Sequence, residues 1–280
     1  MFSRVGKEGS GLPYSSFWAF GCYRTVCRLC CWSDDWTKEA ALLSLQGIDQ
    51  GGAAVGGKEG FRPWESGKGE LIGWFRPSQT GPARRTILLL HGNGGCASIW
   101  FHYAEGFQSV EPIDFYLLEY PGYGGRSGAP TQSTILRAAD DAFANLRANC
   151  GIYIIGESLG TGPASYLAGK YAAKVKGAFL VAPYNNLAAA AGSHLPLFPV
   201  KWMLKDKYPS DQWLKDYDGP LAVLVGGKDE VIPSELGRKL FDGYGGPKKL
   251  WVQPQATHGD LHDGAPAIAK EVLAFWNDRK

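Results

Sequence analysis

The passage Ile152-Tyr153-Ile154-Ile155-Gly156-Glu157-Ser158-Leu159-Gly160 constrains this chain most: an apolar β-branched run breaks into a Gly-x-Ser-x-Gly pattern and then into helical spacing. That is a strand, a sharp turn and a helix, with a serine at the turn. A serine there must adopt a crowded backbone conformation, and glycines two residues to either side remove the side chains that would clash. Ser158 is thereby lifted clear of the sheet. The pattern also matches ordinary turns, so the rest of the sequence has to decide what it means.

From residue 70 onward, apolar runs alternate with helical patterns. Strands are expected over residues 70–75, 86–90, 113–119, 152–155, 177–182, 221–226 and 249–252. Helices are expected over residues 98–110, 134–149, 159–173, 234–244 and 266–278, the second carrying an Ile135, Ala138, Ala142, Leu146 stripe at helical spacing. The run Thr86-Ile87-Leu88-Leu89-Leu90 suits a strand buried on both faces. Strands alternating with helices predict the α/β class, a mostly parallel sheet wrapped on both sides. Residues 184–219 break the alternation, are rich in Pro, Trp and Leu, and follow a strand on the same edge as Ser158. A small cap is expected there. The expected division is an N-terminal extension over residues 1–60 and one domain over residues 61–280.

A serine hydroxyl needs a base to take its proton and a third group to orient that base. The strand ending Val223-Leu224-Val225-Gly226-Gly227-Lys228 leads into Asp229, with Glu230 as its neighbour and competitor. After the next strand, Ala256-Thr257-His258-Gly259-Asp260 offers a histidine on a loop before the last helix. The order Ser158, Asp229, His258 is a nucleophile, acid and base in series. His262 competes with His258 but is entering the helical region, while His102 and His194 lie in segments without a matching turn. A developing oxyanion would be held by two backbone N–H groups, those of Leu159 and Asn93. Asn93 sits in the loop His91-Gly92-Asn93-Gly94-Gly95, which His91 is expected to hold in shape. That loop lacks the ending of a phosphate-binding loop, so nucleotide binding is not expected. Tyr123, Tyr184 and the cap residues Leu197, Phe198 and Trp202 are candidates to line a substrate pocket, though the cap residues could equally pack the cap onto the core.

Residues 70–277 resemble the α/β-hydrolase superfamily. The segments His91-Gly92-Asn93-Gly94-Gly95, Tyr120-Pro121-Gly122-Tyr123-Gly124, Gly156-Glu157-Ser158-Leu159-Gly160 and Asp229-Glu230-Val231-Ile232-Pro233 look like its small-capped esterase and thioesterase branch, which includes the protein depalmitoylases. The resemblance implies a Ser158-His258-Asp229 triad, an oxyanion hole from Asn93 and Leu159, hydrolysis of esters or thioesters through an acyl-enzyme, and no cofactor. The competing readings are a peptidase and a non-catalytic binding protein on the same scaffold.

With 280 residues, 45% of them apolar and 20% charged, the chain can bury a full core. A net charge of +2, with acids and bases interspersed, makes no electrostatic case for nucleic acid. Cys22, Cys27, Cys30 and Cys31 crowd the N-terminus, whereas Cys96 and Cys150 read as reduced residues of the body. Cys27 and Cys30 have half the spacing of a zinc site, but no second pair follows nearby, so no metal is expected. A helix is expected over residues 34–45 and a loop or hairpin over residues 47–60. The basic, aromatic N-terminal segment is a candidate for contact with a membrane surface and for acylation. A cytoplasmic or peripheral membrane location is expected, with secretion left open.

Overall fold

The computed structural model describes residues 59–194 and 204–278. The helix expected over residues 34–45, the N-terminal cysteines, and the cap residues Leu197, Phe198 and Trp202 lie outside the described residues.

Eight strands form one sheet: β1 (Arg62–Glu65), β2 (Leu71–Arg76), β3 (Arg85–Leu90), β4 (Ile113–Leu118), β5 (Gly151–Glu157), β6 (Val175–Val181), β7 (Leu221–Gly226) and β8 (Lys248–Gln253). Their spatial order is β1-β2-β4-β3-β5-β6-β7-β8. β2 pairs antiparallel with β1 and β4, and every other neighbouring pair is parallel. The α/β expectation is met, and β5, which leads to Ser158, lies between β3 and β6. β1 was not legible in the sequence: only Trp64 of its four residues is buried, and it carries Pro63, as an edge strand can.

Every residue of β3 is buried. Its side chains alternate between two cores, Ile87 and Leu89 packing with Phe107, Phe179 and Trp276, and Leu88 and Leu90 with Ile135, Leu167 and Leu180. Both faces are therefore covered by helices. These are α1 (Phe101–Gln108), α2 (Gln132–Ala144), α3 (Thr161–Lys170), α4 (Leu187–His194), α5 (Ser210–Trp213), α6 (Ser234–Gly243), α7 (His258–Gly264) and α8 (Ala269–Asn277).

Four helices differ from expectation, the one expected over residues 159–173 being a 3-10 turn at Ser158–Gly160 followed by α3, which ends at Lys170. The helix expected from residue 98 opens with a 3-10 turn, Ala97–Trp100, before α1. α2 begins earlier and ends earlier: the Thr131 hydroxyl accepts the Thr134 N–H while the Thr134 side chain returns to the Thr131 N–H, and the helix stops at Ala144. Leu146 still packs on the core from beyond its end. The single helix expected over residues 266–278 is really α7, a 3-10 turn at Ala265–Ile268 and α8, because Pro266 lies in that turn and donates no hydrogen bond. His258 is thus the first residue of a helix rather than a loop residue. The connection between β6 and β7 carries α4 and α5, and α5 lies against α3, where a Cβ on Gly169 would collide with the Trp213 carbonyl.

Candidate active site

β5 ends at Glu157, and the chain turns at once through the 3-10 turn Ser158–Gly160 into α3. Ser158 has φ of +50°, the left-handed region that costs a non-glycine residue energy. Both flanking glycines are required. A Cβ on Gly156 would stand 2.6 Å from that of Ala164, and one on Gly160 would fall on the Leu90 carbonyl oxygen. The Thr161 hydroxyl donates to the Ser158 carbonyl at 2.7 Å, fixing the turn.

Asp229 follows the end of β7, and its Oδ1 accepts the N–H groups of Val231 (2.9 Å) and Ile232 (2.8 Å). These hold the carboxylate beside His258, whose Nδ1 lies 2.8 Å from Oδ2 and 3.0 Å from Oδ1. Nε2 of the same ring lies 3.1 Å from the Ser158 Oγ. An ionised carboxylate only accepts, so the proton sits on Nδ1 and Nε2 is left to accept the serine O–H. Burial works against the charged form of His258, but the hydrogen bond and charge of Asp229, then the charges of Glu157 and Glu230, carry its pKa above the ordinary value. The ring is thereby made a better proton acceptor. Glu230 is exposed and makes no such bond, which separates it from Asp229.

A small cleft at Ser158 is lined by Gly92, Asn93, Trp100, Glu157, His258, Gly259 and His262. Leu159 is the middle residue of the 3-10 turn into α3, and backbone N–H groups at a helix start have no partner within the helix. The Asn93 loop is held from beneath. His91 is wholly buried, its Nδ1 donating to the Gly92 carbonyl at 2.7 Å and its Nε2 lying 3.2 Å from Glu119. Glu119 also accepts the Ala97 N–H at 2.9 Å. This is the loop-shaping role expected of His91.

The two tyrosines depart from expectation. Tyr184 is fully buried and its hydroxyl donates to the Leu159 carbonyl at 3.0 Å, so it supports the turn instead of lining the cleft. Tyr123 is also buried, and its hydroxyl donates to the Asn93 side-chain oxygen. Burial, then the charge of Glu119, pushes its phenol far up, so it remains a donor.

Sequence reasoning missed a second cluster. Glu157, 4% exposed, accepts from Trp100 Nε1 at 2.8 Å and from the Tyr103 hydroxyl, and both its oxygens lie 3.1 Å from Nδ1 of His262. The available signal was Glu157 itself, a charge inside an otherwise apolar strand end, which demands partners. Among the described residues, His102, His262 and Asp263 bring metal-type donors within 4.8 Å of one another. However, the His102 nitrogens face the carbonyls of Ile99 (3.0 Å) and His262 (3.2 Å), and His262 Nδ1 faces Glu157. The histidines are arranged as hydrogen-bond partners, not around a cation. Cys96 and Cys150 are free thiols. No helix among the described residues is long and apolar enough to cross a membrane.

This chain belongs to the alpha/beta hydrolase fold family, whose pattern matches residues 85–207. It is 31% identical over 203 residues to the uncharacterized protein Rv2307c of Mycobacterium tuberculosis, covering 69% of this chain and 70% of that one. The lysophosphatidylserine lipase ABHD12 of Mus musculus is 28% identical over 200 residues, covering 64% of this chain and 50% of the lipase, so the chain matches about half the length of that relative. Est1E from Butyrivibrio proteoclasticus, solved with ferulic acid, shares the fold with a TM-score of 0.61 at 18% identity, covering 74% of this chain and 94% of Est1E. The chain is thus similar to esterases and lipases.

Proposed function

We propose that this chain is a serine hydrolase that cleaves carboxylic esters through an acyl-enzyme. The observation that carries the reading is the unbroken relay from Ser158 Oγ to His258 Nε2 (3.1 Å) and from His258 Nδ1 to Asp229 (2.8 Å), with the serine in a left-handed turn. As Ser158 Oγ attacks the acyl carbonyl carbon, its proton passes to His258 Nε2 and the carbonyl electron pair moves onto oxygen. The N–H groups of Leu159 and Asn93 hold that oxyanion. The intermediate then collapses, the leaving oxygen departs with the proton from His258, and Ser158 is left acylated. A water gives its proton to the same nitrogen as it attacks the acyl carbon; the second intermediate then collapses, the bond to Ser158 Oγ breaks as that oxygen takes the proton back from His258, and the acid is freed. Asp229 keeps the ring in the required tautomer and stabilises its charged form without itself taking the proton.

Thioesters use the same steps, and the likeness to a lysophosphatidylserine lipase favours acyl chains among the substrates to try. The test is labelling of the purified full chain by a fluorophosphonate, with turnover of p-nitrophenyl esters and an acyl-length series of oxyesters and thioesters. Wild type should label and turn over, and Ser158→Ala should lose labelling and at least about 10³-fold in kcat. A wild-type protein that does neither refutes the reading and leaves a binding protein on this scaffold.

A further inference from the structure

A charge buried beside a nucleophile calls for an explanation that packing does not supply. Glu157 is the last residue of β5, adjacent to Ser158, and is closed off from water by Trp100, Tyr103 and His262. An apolar residue would fill the same place at lower desolvation cost. His262 lines the same cleft as Ser158 and His258, so the Glu157 and His262 pair borders the reacting groups without touching the relay.

We propose that Glu157 and His262 are positioning residues: a second buried carboxylate–imidazole pair whose charge state sets the charge under which His258 works as a base. The inference rests on the serine hydrolase reading. His258 stands between two carboxylates, Asp229 bonded to its Nδ1 and Glu157 acting on it through space. When His262 is protonated, its charge offsets part of the charge of Glu157 that His258 feels. When His262 is neutral, Trp100 and Tyr103 still donate to Glu157, which stays ionised and favours the imidazolium that His258 becomes as Ser158 attacks.

The groups around each member are consistent with this. Burial would push the Glu157 carboxyl up, but the charge of His262, hydrogen bonds from His262 and Tyr103, and the charge of His258 hold it below the usual carboxylate range. Burial would push His262 down, but Glu157, and beyond it Asp263, carry it above the usual imidazole value. The rings of His102 (4.6 Å) and Trp100 (5.1 Å) also face His262. His102 in turn lies in the field of Glu59, which also feels Glu105 and Arg76. His258 faces Asp229, Glu157 and Glu230. Two imidazoles sharing one carboxylate titrate as a coupled set.

The test is the pH dependence of kcat/KM for a p-nitrophenyl ester, measured on the full chain as wild type, Glu157→Gln, His262→Asn and the double variant, each checked for folding by circular dichroism. His258 must be neutral to accept the proton, so activity falls on the acid side as it protonates. Glu157→Gln removes a charge that favours imidazolium and should move that limb down by about one pH unit. His262→Asn keeps a donor to Glu157 but removes the compensating charge, and should move the limb up by about half a unit. In the Glu157→Gln background, buried His262 has lost the carboxylate that holds its proton and carries no charge, so His262→Asn should move nothing further. A limb that stays put in Glu157→Gln, shifts of the same sign, or a persisting His262→Asn effect in the double variant overturns the inference. A role confined to packing would lower stability and leave the limb in place. Should Glu157→Gln not fold, ring nitrogen NMR of the wild type decides: His258 and His262 should each show two shared inflections, and independent single titrations overturn the pairing. Wild type without ester turnover would instead refute the hydrolase reading, and the NMR titration still judges the pair.

Discussion

At the scale of single residues, function falls to side chains that hold backbone in place. Tyr123 is the clearest case, a buried phenol whose hydroxyl donates to the Asn93 side chain while the Asn93 N–H is the proposed oxyanion donor. Tyr123→Phe removes that tether and little else. A net loss of about 1 kcal/mol of loop order, expressed only as the oxyanion forms, should lower kcat about fivefold with KM unchanged. Steady-state kinetics on a p-nitrophenyl ester checks it, and an effect confined to KM would place Tyr123 in substrate binding instead. Ser158, Asp229 and His258 were legible in the sequence because each follows the end of a parallel strand, where the sheet gathers its loops. Glu157 and His262 were not, since they lie 105 residues apart and neither has a motif that names the other. The role of Tyr123 was misread because a residue following an active-edge strand can point at substrate or at the loop, and sequence does not separate the two.

At the scale of elements, the proposed base, His258, is presented by a helix start. Thr257 caps α7: its hydroxyl accepts the Asp260 N–H at 3.3 Å and donates to Asp260 Oδ2 at 2.7 Å, while the Thr257 N–H donates to the same oxygen at 2.8 Å. Those bonds hold the exposed Asp260 carboxyl below its ordinary pKa. His258 is the next residue, so the cap that starts the helix also aims the imidazole. Thr257→Ala should cost about 1 kcal/mol of stability, read by thermal unfolding. It should also slow fluorophosphonate labelling several-fold, because a fraying first turn moves His258 out of line. Unchanged labelling at lowered stability would show that His258 is held by Asp229 alone. The signal for this helix stood in the sequence as Thr257-x-x-Asp260 before Leu261, a capping pattern that the longer apolar period of residues 266–278 masked. The alternation of strands and helices was legible for the opposite reason: strands buried on both faces, as β3 and β7 are, read as unbroken apolar runs.

At the scale of the whole molecule, the Glu157 cluster ties together elements that the sheet alone does not join. β5 supplies the carboxylate, the turn before α1 supplies Trp100, α1 supplies Tyr103 and α7 supplies His262. Its contribution to stability must depend on pH from both sides. The folded-state pKa of Glu157 is lowered. Its stabilisation is therefore present above the unfolded carboxyl's value of about 4.3 and is lost as pH falls through the folded value. His262 is raised in the folded state. Its share is complete below the unfolded imidazole's value of about 6.5 and is lost as pH rises through the folded value. His258, also raised and also acted on by Glu157, has the same sign as His262. The difference in unfolding midpoint between wild type and Glu157→Gln should therefore be largest between about pH 4.3 and 6.5, shrinking on both sides. Groups that titrate alike in the two proteins, Asp260 among them, cancel from that difference. Calorimetry from pH 3 to 9 measures it. A difference that stays level from about pH 5 through pH 8 and above would show that the charge of Glu157 is stabilised by Trp100 and Tyr103 alone, with His262 contributing no charge to the folded protein.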